Sequence, residues 1–134
     1  MREAVLDASV VLKWFHQSGE AGSEEACRLR HAYEAGELFV FAPPLLFLEI
    51  MNVAGRRWGF SSSALMELAT QVDRIGFELE EPGLEGVARW MGSGLTAYDA
   101  AYVALAETLD VRLVTDDDLI IRIAPNLVTP LRGR

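Results

Sequence analysis

The chain has one cysteine and two histidines, and its only lysine is Lys13. Cys27 has no partner for an intrachain disulfide, and no Cys/His cluster exists for zinc. Cys27 lies among Ala26, Leu29 and Ala32 on a helical pattern and reads as a small core residue, not a nucleophile. No Ser-His-Asp or Cys-His arrangement stands out, so nucleophilic catalysis has no support. His31 falls on a charged helix face, and His16, after Trp14 and Phe15, reads as packing or solvent-facing rather than as a general base. Neither GxxxxGK[ST] nor GxGxxG occurs, which removes those phosphate-cradling loops. No uncharged apolar run approaches the roughly 18 residues of a membrane span. The opening MREAVLDASVV does not read as a secretory leader. The expected setting is soluble, reducing and cytoplasmic, with no membrane partner.

Basic residues are also scarce. Twelve Lys and Arg face twenty Asp and Glu, leaving a net charge of -8 and a pI near 4.7. That balance argues against a binder held by the nucleic-acid backbone, which is expected to be basic. Acids that cluster and are neutralised by cations would leave such binding open. Lys13, Arg56 and Arg57 follow two of the acids and read equally as solvated surface or as phosphate contacts. With 134 residues, 51% of them hydrophobic, the chain fits one domain, 1–134, with one core.

Short apolar strands alternate with helices. Strands are expected at 3–6, 38–41, 77–80 and 111–115, with a further one at 127–129. Helices are expected at 8–15, 23–35, 45–58, 61–75, 84–91 and 96–109, and a helical turn at 119–124. Ser23 and Ser61 offer caps, and Gly36, Gly59 and Gly76 offer stops. The pattern predicts an α/β fold with a mostly parallel sheet, buried on both faces. Ligands collect beyond the carboxyl ends of such strands. Asp7 follows the first strand, and Asp116, Asp117 and Asp118 follow the fourth.

Four carboxylates stand in apolar surroundings: Asp7 in AVLDASVV, Glu49 in LLFLEIMNV, Asp99 in LTAYDAAYVAL and Asp117 in RLVTDDDLI. A buried, unpaired carboxylate is costly and is normally neutralised or given a cation. Few cationic side chains lie nearby, which points to a bound metal ion. Each acid also has a plainer reading. Asp7 can cap the following helix, unless Ser9 does so. Glu49 lies on a helix apolar nearly all round, with Asn52 on its face as a supporting partner, or it pairs with a core arginine. Thr96 and Asp99 resemble a capping box. One of Asp116, Asp117 and Asp118 can cap a turn, and spacing alone leaves the ligand among them open.

Hard oxygen donors select Mg²⁺ or Mn²⁺ over zinc or copper. Two such ions can activate a water and stabilise the leaving oxygen of a phosphodiester. VLDASVVLKWF, PPLLFLEIMNV and LTAYDAAYVALAETLDVRLVTDDDL together resemble the motifs of PIN-domain ribonucleases, especially VapC-like toxins of toxin–antitoxin modules. The resemblance runs in order along nearly the whole chain. It implies a Rossmann-like, three-layer α/β/α sandwich and a Mg²⁺- or Mn²⁺-dependent endoribonuclease. It assigns metal-binding and catalytic roles to Asp7, Glu49, Asp99 and Asp117, with Ser9, Asn52, Thr115 and Asp116 in supporting positions. Asp116 stands where the family usually has a small or variable residue, so Asp116 competes with Asp117 as ligand. It further implies a homodimer, an RNA substrate in single-stranded or looped form, and a cognate antitoxin whose tail places an arginine or similar group in the acidic pocket. Two other readings exist. One is a PIN-like module that binds without cutting. The other is a phospho-receiver domain, which needs a lysine after a late strand, whereas Lys13 lies near the start.

Overall fold

The computed structural model describes residues 2–16 and 19–133. Its elements run β1 (Arg2–Leu6), α1 (Ala8–Phe15), α2 (Ser23–Glu34), β2 (Leu38–Ala42), α3 (Leu45–Arg56), α4 (Ser62–Asp73), β3 (Glu78–Leu79), α5 (Leu84–Gly92), α6 (Ala97–Leu109), β4 (Arg112–Thr115), α7 (Asp118–Ile123) and β5 (Val128–Pro130). The five strands form one sheet in the order β3-β2-β1-β4-β5. Every pairing is parallel. The expected three-layer α/β/α sandwich is what forms. Helices α1 to α4 pack in one connected group, while α5 packs on α6, which covers β1 and β4.

The core follows from the strand patterns. Ala4, Val5 and Leu6 of β1 and Leu113 and Val114 of β4 are buried, as a central parallel strand requires. On β2, Leu38, Val40 and Ala42 are buried while Phe39 is partly exposed, the period-two pattern of a strand. Helix α6 is buried at every position from Ala100 to Ala106. Its alanines let α5 approach closely: a Cβ on Gly86 would sit 3.2 Å from the Ala104 Cβ.

The chain leaves β1 toward β2 and β3, then returns across the sheet to place β4 on the other side of β1. The register pairs Val5 with Leu113 and Leu6 with Val114. Asp7 and Thr115 therefore emerge side by side at the switch in strand order, where parallel sheets open a crevice.

Several local expectations change. Gly22, in the left-handed region at φ 88°, precedes α2, and Ser23 starts the helix with its hydroxyl buried and unbonded instead of capping it. Ser61 does cap α4, accepting from the Ala64 amide at 3.2 Å. The third strand shrinks to two exposed residues, because Phe77 packs edge-on against Trp14 and Tyr33 instead. Cys27 is only half-buried, with Sγ 3.8 Å from His31 Nε2. Helix α3 is not apolar-buried all round: Leu48 is 75% exposed and Asn52 is exposed. Among the described residues no helix is long and apolar enough to cross a membrane.

Candidate active site

Asp7 closes β1 and occupies the N-cap position of α1, but its side chain makes no capping bond. Its Oδ1 accepts from the Ser9 hydroxyl at 2.6 Å, and its Oδ2 accepts from the Thr115 hydroxyl. Ser9 therefore does not cap α1 either. Each hydroxyl also accepts from the loop after β4: Ser9 Oγ from the Asp116 amide at 3.0 Å, and Thr115 Oγ1 from the Asp117 amide at 3.1 Å. Two hydroxyls thus tie the carboxylate at the end of β1 to the backbone at the end of β4. Asp7 is 4% exposed. Burial pushes its carboxyl up to about 7; the bonds from Ser9 and Thr115 oppose the rise, and the charges of Asp117 and Asp99 add to it.

Asp99 sits in the first turn of α6, where Thr96 accepts from its amide at 3.1 Å. That bond supplies the amide half of the capping box read from the sequence. The Asp99 carboxyl is nonetheless raised, by burial first and then by Asp117. Glu49 comes from α3 and accepts from the Tyr102 hydroxyl of α6. Burial raises the Glu49 carboxyl, the Tyr102 bond lowers it, and Asp99 raises it again. Asp117 caps α7, accepting from the Ile120 amide at 3.0 Å. Elements distant in sequence therefore deliver Asp7, Asp99 and Asp117 to one electrostatic group, with Glu49 coupled to it through Asp99.

Asp116 lies on another side. Its carboxylate meets Lys13 Nζ at 3.8 Å and Arg132 Nε at 2.8 Å. Lys13 is buried and also donates to the Ser9 carbonyl at 3.2 Å, so it is not the solvated surface charge or phosphate contact expected. The partner of Glu49 is Tyr102, not Asn52, which lines an open hollow with Leu45, Leu48, Glu49 and Tyr98. Arg56 and Arg57 are exposed at the far end of α3. Sequence reading missed Tyr102, although a hydroxyl three residues after Asp99 in an otherwise apolar run marks the same helix face. It also missed Arg132, which carries no local signal. A second hollow of about 390 Å³, between Trp14, Arg30, Tyr33 and Arg74, holds none of these acids.

The donor set is all oxygen, which fits a hard divalent cation. Asp117 and Asp99 raise the proton affinity of Asp7, Asp117 raises that of Asp99 and Asp99 that of Glu49, while the cations Lys13 and Arg132 are engaged by Asp116. Among the described residues, however, no three His, Cys, Asp or Glu side chains are gathered into a ready metal cage. Asp7, Glu49 and Asp117 each accept from a protein donor instead.

The fold has close parallels among solved structures. PAE2754 from Pyrobaculum aerophilum is 23% identical with a TM-score of 0.67, the match covering 97% of this chain and 90% of that one. FitAcB from Neisseria gonorrhoeae is 14% identical with a TM-score of 0.68, over 96% of this chain and 97% of that one. VapC20 from Mycobacterium tuberculosis, described as a sarcin–ricin loop cleaving toxin, is 16% identical with a TM-score of 0.64, over 89% of this chain and 94% of that one. Among curated proteins none matches this sequence. The family model of the PIN domain matches residues 4–125, nearly the whole length. The chain belongs to the PIN domain family.

Proposed function

We propose that this chain is a metal-dependent endoribonuclease that hydrolyses RNA phosphodiester bonds and acts as the toxin of a toxin–antitoxin pair. The observation that carries the reading is the buried Asp7 at the switch in strand order, crowded by Asp99 and Asp117 while the neighbouring cations face Asp116. Membership of the PIN domain family supports a nuclease, and a structural neighbour described as a cleaving toxin supports the toxin role.

Asp7, Glu49, Asp99 and Asp117 would hold Mg²⁺ or Mn²⁺, and these acids form the catalytic set. When bound, the ion supplies Lewis-acid chemistry: it acidifies water and offsets charge on the phosphodiester. Ser9 and Thr115 orient Asp7, and Tyr102 orients Glu49. Asp116, fixed by Lys13 and Arg132, anchors the loop that presents Asp117. The partners on this reading are RNA, a second copy of the chain and an antitoxin that sets a cationic side chain against the acids. The alternative is a PIN module that binds without cutting; the absence of a gathered cage among the described residues is what favours it.

The test is cleavage of mixed RNA with Mg²⁺ or Mn²⁺ against EDTA, wild type beside Asp99→Asn. Metal-dependent cutting that vanishes in the variant is the expected result. Cutting that survives EDTA, or is undiminished in Asp99→Asn, sinks the assignment. No cutting by a folded wild type favours the binding module.

A further inference from the structure

Glu49, one of the four acids, lines an open hollow. Leu45, Leu48, Glu49, Asn52 and Tyr98 line about 390 Å³, within the range of about 300–1,000 Å³ typical of ligand sites. Leu48 is 75% exposed and Tyr98 is 65% exposed. They are the chain neighbours of Glu49 and Asp99, so two of the acids each carry an uncovered apolar residue beside them. Glu49 belongs both to the acid group and to the hollow. Whatever occupies the hollow lies next to whatever the acids act on.

The charge balance narrows the occupant. Backbone-driven RNA affinity comes from Lys and Arg displacing counterions. This chain carries -8, Lys13 and Arg132 face Asp116, and no cationic side chain lines the hollow itself. An acidic protein that handles RNA gains affinity from uncharged contact, and bases supply it by stacking on aromatic and apolar side chains. We propose that the hollow between Leu48 and Tyr98 receives one unstacked RNA base adjacent to the cleaved phosphodiester, with the Asn52 amide at the base edge. This rests on the ribonuclease reading above. An unstacked base is available in single strands and loops, not in duplex.

The experiment measures binding of single-stranded hexaribonucleotides of each base, each carrying one 2-aminopurine, with Ca²⁺ in place of Mg²⁺. Wild type is compared with Tyr98→Ala, Tyr98→Phe, Leu48→Ser and, as control, Met66→Ala, a 70% exposed residue on α4. Exposure of these positions leaves the fold intact. Tyr98→Ala is expected to raise Kd about tenfold and abolish 2-aminopurine quenching, while Tyr98→Phe and Met66→Ala keep both. A duplex carrying the same base should bind no better than Tyr98→Ala binds the single strand. Wild type binding none of the hexamers overturns the base site. So does binding unmoved in both Tyr98→Ala and Leu48→Ser, which would leave the hollow to a protein side chain. Cleavage is read separately: cutting with no effect of these variants on binding sinks the base site alone, and base binding without cutting sinks the ribonuclease reading alone.

Discussion

Asp116 and Asp117 are adjacent in one loop, yet their surroundings are opposite. Asp116 turns to Lys13 and Arg132. Asp117 turns toward Asp7 and Asp99, raising the proton affinity of both. The strand end is thus divided into a neutralised half, which fixes the loop, and an uncompensated half, which stores negative charge. A fold has no use for the second half on its own, because unpaired buried charge is destabilising. On the proposed reading, neutralised acids serve structure here and uncompensated ones serve a ligand.

The sharpest way to test that division is to neutralise one acid at a time. Asp117→Asn is expected to lower RNA cleavage by about 10²–10³-fold, the scale seen when a preorganised charge-stabilising group is removed. Asp116→Asn should lower cleavage by about 10–100-fold or less, as for a supporting residue, while costing about 1–3 kcal/mol of stability because Lys13 loses a charged partner. Parallel cleavage rates and chemical denaturation separate the two. If Asp116→Asn is the more damaging to activity at full stability, the halves have been assigned the wrong way round.

The uncompensated half also fixes the pH response. The Asp7 carboxyl rises from 3.8 to about 7 on folding, and Glu49 and Asp99 move in the same direction. The folded chain therefore binds more protons than the unfolded chain across that interval. Stability from Asp7 is present at low pH and is lost as pH rises toward about 7. Melting of the chelated protein at pH 5 and pH 8 is expected to show the lower midpoint at pH 8. Asp7→Asn should flatten the difference, and Mg²⁺ should raise the wild-type midpoint more at pH 8 than at pH 5. A midpoint that climbs from pH 5 to pH 8 equally in wild type and variant would mean that Asp7 is not the group responsible.

Much of this arrangement follows from local sequence. Apolar runs such as AVL, LFVF and RLVT, spaced by helical patterns, suffice for an alternating α/β chain, and strand ends followed by acids suffice to place Asp7 and Asp117 at one edge. The register that sets Asp7 beside Thr115 is non-local, and so is the Glu49–Tyr102 bond between α3 and α6. Lys13 looked solvated because its neighbours in sequence do not include Asp116, its partner across the fold. Helix α3 looked fully buried because composition cannot distinguish apolar residues facing a core from apolar residues facing a ligand. Leu48, 75% exposed, faces away from the core.

Tyr102→Phe probes the seam between the two helices that carry Glu49 and Asp99. The ring stays packed, since Tyr102 is almost wholly buried, and only the hydroxyl is lost. Burial and the Glu49 charge already hold that hydroxyl protonated well beyond its ordinary range, so it acts as a donor and not as an acid. The expected effect is a fall of about tenfold in cleavage, at the low end for residues that orient a ligand, with melting nearly unchanged. Full activity would show that Glu49 needs no orientation.

Arg132→Ala should have the smallest effect. The guanidinium is partly exposed, and exposed ion pairs contribute little. Lys13 remains on the other oxygen of Asp116, and the segment is also held by the Leu131 amide, which donates to the Thr115 carbonyl at 2.9 Å. Cleavage is expected to stay within about threefold of wild type, since Arg132 sits two steps from the acids: it touches Asp116, whose amide touches Ser9. Pairing the change with Lys13→Met is the informative version. If the neutralised half only fixes the loop, the double variant should lose stability beyond either single change while retaining metal-dependent cutting. If cutting disappears in Arg132→Ala alone, with melting unchanged, then Arg132 acts on the substrate and the division of the strand end into two halves fails.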